Sequence, residues 1–350
     1  MKRKVFISIL FVFAMALSAS AFSGHEKWEF QPDSSVTTGI TVTGNTVLFG
    51  TETGKLYALN KNTGRQLWSY KVENTVYGKP AVSGSYVFFA EGDGEIVCLN
   101  ISDGSHVWTN GGTVGTNAER QAVNDGLSDG AAVGGGLIYV SKFDRKVHAF
   151  NEKDGRTVWT YTTGDQGVRE APTYANGLLF VGEYDGIFSI LDAKTGKRLN
   201  GGGAGGAINT PIVSDGKVYF SSWDGSLNSV QIEGVIPQWA TRTKDTITTQ
   251  PAVGAGKVIV GTGRGNIVAF NEKDGRILWS FNTGAGNVRA TPVIADGVVI
   301  AGSESGNVFV LDLGTGKNVG TICEGRGLFG DPEYSDGVLY LGSGAVFAYE

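Results

Sequence analysis

One phrase of apolar and polar positions recurs along the chain. It reads glycine, any residue, apolar, any residue, small, apolar, Asn or Asp, then a turn, then tryptophan. The first copy is Gly54-Lys-Leu-Tyr-Ala-Leu-Asn60, followed by the turn Lys61-Asn-Thr-Gly64 and by Trp68. Further copies begin at Gly94, Arg145, Gly186, Gly225, Gly265, Gly306 and Gly344. Trp108, Trp159, Trp239 and Trp279 hold the tryptophan position, while Asn200 and Gly320 stand there in the fourth and seventh copies. Successive spacings of that position are 40 (68 to 108), 51 (108 to 159), 41, 39, 40 and 41 residues. A period near 40 with four apolar runs per period is the signature of propeller blades.

Alternation within one period predicts four strands. Ala81-Val82 opens an innermost strand, which turns at Ser83-Gly84. The counterparts Asn176-Gly177, Asp215-Gly216, Asp296-Gly297 and Asp336-Gly337 suit the positive φ angles of two-residue hairpins. A second strand such as 298–301 follows, then the glycine-initiated third strand, then the outermost strand with its tryptophan. The eighth copy stops at Glu350, before an outermost strand. The segment His25-Glu-Lys-Trp28-Glu-Phe-Gln31 supplies that strand, because Trp28 lies 40 residues before Trp68. The pattern therefore predicts an all-β, eight-bladed β-propeller of four-stranded antiparallel blades, the last closed by the N-terminal strand. A blade built from both ends removes a free sheet edge. The long spacing marks an insertion, 116–126, expected as a loop over one face, with Glu119 and Arg120 as exposed candidates for a partner contact.

Glycine makes up 54 of 350 residues, which agrees with short strands joined by tight turns. The chain opens on Lys2, Arg3 and Lys4, runs apolar from Val5 to Leu17, and reaches Ala19-Ser20-Ala21, a small-x-small cleavage pattern. This predicts a signal peptide over 1–21 and one propeller domain over 22–350, exported to the periplasm or the cell exterior. The apolar run falls short of the roughly 20 residues a membrane span needs. No later run is long enough either, so no transmembrane segment is expected in the mature chain. The formal charge of −5 and pI near 5.4 carry no basic block, which excludes nucleic acid as a partner. Cys98 and Cys323 lie too far apart in sequence to suggest a disulfide framework, and the three histidines form no metal-ligand spacing. Cys98 fills the slot held elsewhere by Ala58, Ala149 and Ala269, so it reads as a small buried residue.

Propellers bind ligands at the mouth of the central channel, and the residues that precede each innermost strand should ring it. They supply Lys79, Asp129, Arg169, Glu170, Asn209, Gln250, Arg289 and Asp331. Cations there suit carboxylates, and Asp and Asn suit a hard cation. The same set is also what a solvated channel mouth would carry. As read, the ring contains no tryptophan, since the repeat tryptophans lie on outer strands.

The run Ala58-Leu-Asn60-x-x-Thr63-Gly64-x-x-x-Trp68 resembles the repeat of the pyrroloquinoline quinone (PQQ)-type propellers. That family includes PQQ-dependent alcohol dehydrogenases and the outer-membrane assembly factor BamB. The resemblance implies docking of each repeat tryptophan on the neighbouring blade. It leaves three functions open. A non-enzymatic binding scaffold for protein partners in the cell envelope is the reading adopted, with no cofactor, no catalytic residue and no metal. The alternatives are a quinoprotein dehydrogenase holding PQQ and Ca²⁺, and a cell-surface recognition module. The dehydrogenases carry adjacent cysteines and longer elaborations, and this chain has neither.

Overall fold

The computed structural model describes residues 24–92, 94–110, 130–142, 144–168, 170–284, 286–323 and 330–350. The expected signal peptide and the insertion with Glu119 and Arg120 lie outside the described residues, as do Asp129 and Arg169.

The described residues form eight four-stranded antiparallel sheets. Blade 1 runs from its innermost strand Thr41–Thr43 through Thr46–Gly50 and Lys55–Asn60 to the outermost strand Gln66–Lys71. The innermost strands of blades 2 to 8 are Val76–Ser83, Ala131–Gly134, Thr173–Ala175, Ile212–Ser214, Ala252–Gly254, Val293–Ala295 and Glu333–Ser335. Each contacts the next, and that of blade 8 contacts that of blade 1, so the ring closes. The outermost strand of blade 8 is Glu26–Phe30, paired antiparallel with Val346–Tyr349 in the register Trp28 to Ala348. The closure expected from the split repeat is thus present.

Hairpin chemistry follows the sequence: Asp215 and Gly216 both take positive φ, 45° and 72°, between the first two strands of blade 5. The second and third strands of each blade are almost wholly buried, because neighbouring blades cover both of their faces. The core is therefore divided among the blade junctions. The junction of blades 8 and 1 packs Trp28, Val346 and Tyr340 against Val47, Phe49 and Tyr57. That of blades 7 and 8 packs Ile300 and Val308 against Leu339 and Leu341.

A tryptophan docks across six of the junctions. Trp28, Trp68, Trp108, Trp159, Trp239 and Trp279 donate their indole N–H groups to Lys61, Ile101, Glu152, Ala193, Glu272 and Leu313 at 2.9–3.1 Å. Each acceptor opens the third-to-outer turn of the next blade. The same turn presents a glycine to the ring. At Gly64, whose φ is 66°, a Cβ would lie 2.7 Å from the Trp28 ring. Only glycine satisfies both the backbone angle and the close approach.

The two departures have a common cause. Where Asn200 replaces tryptophan, the next blade lacks the usual turn and instead places a short 3-10 turn, Glu233–Val235, before its outer strand. Ile232 and Val235 from that turn pack into the junction of blades 4 and 5, so the apolar contact comes from the receiving side. Where Gly320 replaces tryptophan, blade 8 draws its outer strand from the other end of the chain, and no third-to-outer turn connects it to the strand Val346–Tyr349.

Every outermost strand also carries a β-bulge just before the tryptophan position. In blade 1, Ala58 pairs with Trp68 and Leu59 with Gln66, which leaves Leu67 as the extra residue. Lys27, Val107, Val158, Leu199, Gln238, Leu278 and Val319 occupy the same place. A bulge raises local twist and breaks the regular row of edge groups, which opposes pairing with foreign strands.

Replacing Trp68 with Ala should cost about 3–5 kcal/mol, the range for large aromatic core deletions. Gly64→Val should also destabilise strongly by expelling Trp28. Removing residues 24–30 should lower the melting temperature more than either. Unchanged thermal melts in these variants would contradict the docking and closure described.

Candidate binding face at the channel mouth

The blade hairpins divide the ring into two faces. On one, the first-to-second and third-to-outer turns meet, as where Lys61 N–H donates to Asn45. On the other, the second-to-third turns meet the connections between blades, as where Val72 N–H donates to the Gly54 carbonyl. Lys79, Glu170, Asn209, Gln250, Arg289 and Asp331, the described members of the ring proposed from the sequence, stand on this second, mouth face, where the connections enter the innermost strands.

The structure draws several of them into internal pairs. Lys79 packs its stem over Gly39 of blade 1 and forms an ion pair with Glu333 of blade 8 at 2.5 Å. Asp331 accepts the Gln250 side-chain amide at 3.0 Å and the Thr291 N–H at 2.6 Å. Blade 8 thus receives one cation across blade 1 and one amide across blade 7. Arg289 pairs with Glu304 at 2.7 Å at the outer part of the face. Glu170 accepts the Thr210 hydroxyl at 3.3 Å.

Asn209 is 3% exposed and serves the joint between blades. Its amide donates to Ser221 Oγ at 2.9 Å and to the carbonyls of Ile247 and Thr249 at 3.2 Å. It fills the place of Thr37 and Thr248, whose hydroxyls reach carbonyls of the following blade at 2.8 and 2.6 Å. The backbone bonds of Asn209, Thr37 and Thr248 to the second strand of their own blade establish this equivalence.

Trp223 corrects the expectation of a ring without tryptophan. It sits in the second-to-third turn of blade 5, donates its indole N–H to Asn209 Oδ1 at 3.2 Å, and is 44% exposed. The signal was in the sequence: Trp223 is the one tryptophan of seven outside the outer-strand register. Glu333 and Glu304 were also missed. Their positions in the repeat are ordinary, and only the ring shows which cations they meet.

Two carboxylates at the mouth illustrate opposite environments. Burial pushes the Glu183 pKa up, although the Gly164 N–H and the Ser189 hydroxyl oppose the shift. Burial alone would also raise Asp224. The Ser226 hydroxyl and the Ser226 and Gly205 N–H groups outweigh it and hold Asp224 down to about 2. Arg242 adds an ion pair to the same carboxylate. The Cys98 thiol is pushed up to about 12 by burial, which suits a packing residue and not a nucleophile. Among the described residues no cluster of three or more His, Cys, Asp or Glu could hold a metal ion.

A family model described as outer membrane protein assembly factor BamB matches residues 16–125, 110–199 and 203–350. The chain belongs to this family. A BamB of Bordetella pertussis is 30% identical over 181 residues, covering 49% of this chain and 46% of that protein. A quinohemoprotein alcohol dehydrogenase, ADH-IIG of Pseudomonas putida, is 26% identical over 211 residues, which cover 53% of this chain and 28% of the enzyme. The chain thus spans about half the length of the BamB relative. Among solved structures, BamB from Moraxella catarrhalis superposes with a TM-score of 0.80 at 20% identity, covering 93% of this chain and 99% of that one. That likeness concerns the fold.

The Asp224 network predicts an acid response. A depressed carboxyl pKa stabilises the fold above the unfolded value of 3.8, and the contribution is lost as pH falls from there toward about 2. At about 1.4 kcal/mol per pKa unit this is on the order of 2 kcal/mol. Asp224→Asn should lower the melting temperature at pH 7 and flatten its fall between about pH 4 and pH 2. Parallel melting curves of variant and parent across that range would contradict the assignment.

Proposed function

We propose that this propeller is a non-enzymatic binding scaffold, exported to the cell envelope, that takes part in assembling outer-membrane proteins. Family membership carries the reading. At the mouth, Lys79, Arg289 and Asp331 are engaged by neighbouring side chains, which supports a surface role for them over a cofactor pocket. Among the described residues no helix is long and apolar enough to cross a membrane. The basic start and apolar run at 2–17, with the cleavage pattern at 19–21, support export.

The described residues do not fit PQQ with Ca²⁺. A planar tricarboxylate needs free cations on one rim. Lys79 and Arg289 already face Glu333 and Glu304, and Asp331 accepts from Gln250 and Thr291. No reaction step is assigned to that cofactor.

Cross-linking of the tagged chain in its own host, followed by mass spectrometry, should recover envelope assembly proteins. Deleting its gene should lower the amounts of outer-membrane proteins. Unchanged amounts and no envelope partner would overturn the scaffold reading. Micromolar PQQ binding with alcohol-dependent dye reduction, lost in Asp331→Asn, would establish the dehydrogenase instead.

A further inference from the structure

In five blades the second residue of the second-to-third turn occupies an equivalent place on the mouth face, its N–H donating to a carbonyl of the connection from the previous blade: Glu52 to Ser35, Tyr184 to Gly167, Trp223 to Ala207, Gly263 to Thr246 and Glu304 to Asn287. Acids hold this place in blades 1 and 7, whereas blades 4 and 5 carry aromatic rings. The Tyr184 and Trp223 rings meet edge to face, with centroids 5.5 Å apart and planes at 71°. They straddle the junction of blades 4 and 5, where Asn200 stands in the tryptophan position and no indole docks.

Trp223 is not a loosely held surface ring. Its N–H is fixed by Asn209, and Asn209 is buried and held by three further acceptors. The ring is thus immobilised with nearly half of its surface open to solvent, the condition in which a large aromatic contributes most to an interface. The connection into blade 5, which accepts the Trp223 N–H at Ala207, is Ala-Gly-Gly-Ala over 204–207 and carries no bulky side chain.

Two exposed acids lie on the Tyr184 side of the pair, and Arg145 packs on Gly167 in the turn of one of them. Asp185 follows Tyr184 directly and is exposed. Asp165, also exposed, lies in the turn from Gly164 to Gly167, which is tied to Glu183 through the Gly164 N–H and to Tyr184 through the Gly167 carbonyl. Neither Asp165 nor Asp185 forms an ion pair among the described residues, in contrast to Asp224, Asp245 and Glu304 on the blades that follow. Among the described residues no lysine or arginine stacks over the Trp223 ring. A cation over an indole face gains from the ring quadrupole, and carboxylates on the same face add charge-assisted hydrogen bonds.

We propose that Trp223 and Tyr184, with Asp165 and Asp185, form a recognition site for an arginine or lysine side chain on an extended segment of a partner polypeptide. The proposal rests on the scaffold reading and names the chemistry of its partner. Calorimetric titration of the full chain with the capped peptide Gly-Leu-Arg-Leu-Arg-Gly tests it, with Gly-Leu-Gln-Leu-Gln-Gly and Gly-Leu-Glu-Leu-Glu-Gly as controls. Binding is expected for the arginine peptide alone and should weaken as salt is raised. Trp223→Ala should weaken it about tenfold, within the range for a desolvated cation on an indole. The double variant Asp165→Asn, Asp185→Asn changes exposed groups without loss of volume, so it keeps the test valid if Trp223→Ala unfolds, and it should weaken binding similarly. Equal binding of the glutamine peptide, no binding of the arginine peptide, or full affinity in the double variant would overturn the proposal. Envelope cross-linking reads the scaffold role separately: partners recovered from the host by a chain that ignores the arginine peptide would sink this site alone.

Discussion

The docking of an outer-strand indole on the glycine of the next blade's turn is the contact on which the ring depends. Sheets within a blade are held by their own ladders, but nothing in a single blade can cover its two apolar faces. The indole does this at the rim, where the second and third strands no longer reach. It buries a large ring, satisfies its N–H on a carbonyl that would otherwise point at solvent, and fixes the angle between blades. The contact needs a donor ring on one blade and a glycine turn on the next. Loss of either half removes the reason to keep the other, and both exceptions, Asn200 and Gly320, face a blade without that turn.

Closure uses the same device. Trp28 reaches Lys61 of blade 1 as each later outer-strand tryptophan reaches its neighbour, so the strand from the N-terminal side completes blade 8 and docks it on blade 1. Lys61 also forms an ion pair with Asp336 at 2.6 Å, and Ile40 N–H meets the Asp331 carbonyl at 3.1 Å on the opposite face. The last blade is therefore tied to the first at the rim, at the turn face and at the mouth. Exposed ion pairs of this kind add little each, and the buried Trp28 supplies most of the effect.

At the mouth, ring geometry changes the meaning of individual charges. Lys79 and Glu333 stand 254 positions apart, yet the ring brings them into one pair over the flat backbone at Gly39. Residues that look like a ligand set when written in a line become mutual partners once blades 2 and 8 are separated only by blade 1. Where two blades meet without an indole, Trp223 remains exposed and meets Tyr184, which adjoins Asp185, an acid without an ion-pair partner among the described residues.

Much of the architecture was legible because each feature has a local cause repeated in register. Asp215-Gly216 dictates a hairpin wherever it stands, and the period near 40 fixes the number of blades. The split between Trp28 and the strand ending near Glu350 foretold the closing blade. The bulge before each tryptophan was not legible, because register in a ladder depends on both strands. The mouth was the least legible part. Its polar residues could be named from their place before each inner strand, but whether Asn209 faced solvent or the next blade depended on packing. The chain by itself determined the strands, turns, blade count and closure, because backbone angles and apolar alternation act over a few residues. Only the tertiary structure decided which distant charges neutralise each other and which ring remains exposed, because these depend on distances set by closing the whole ring.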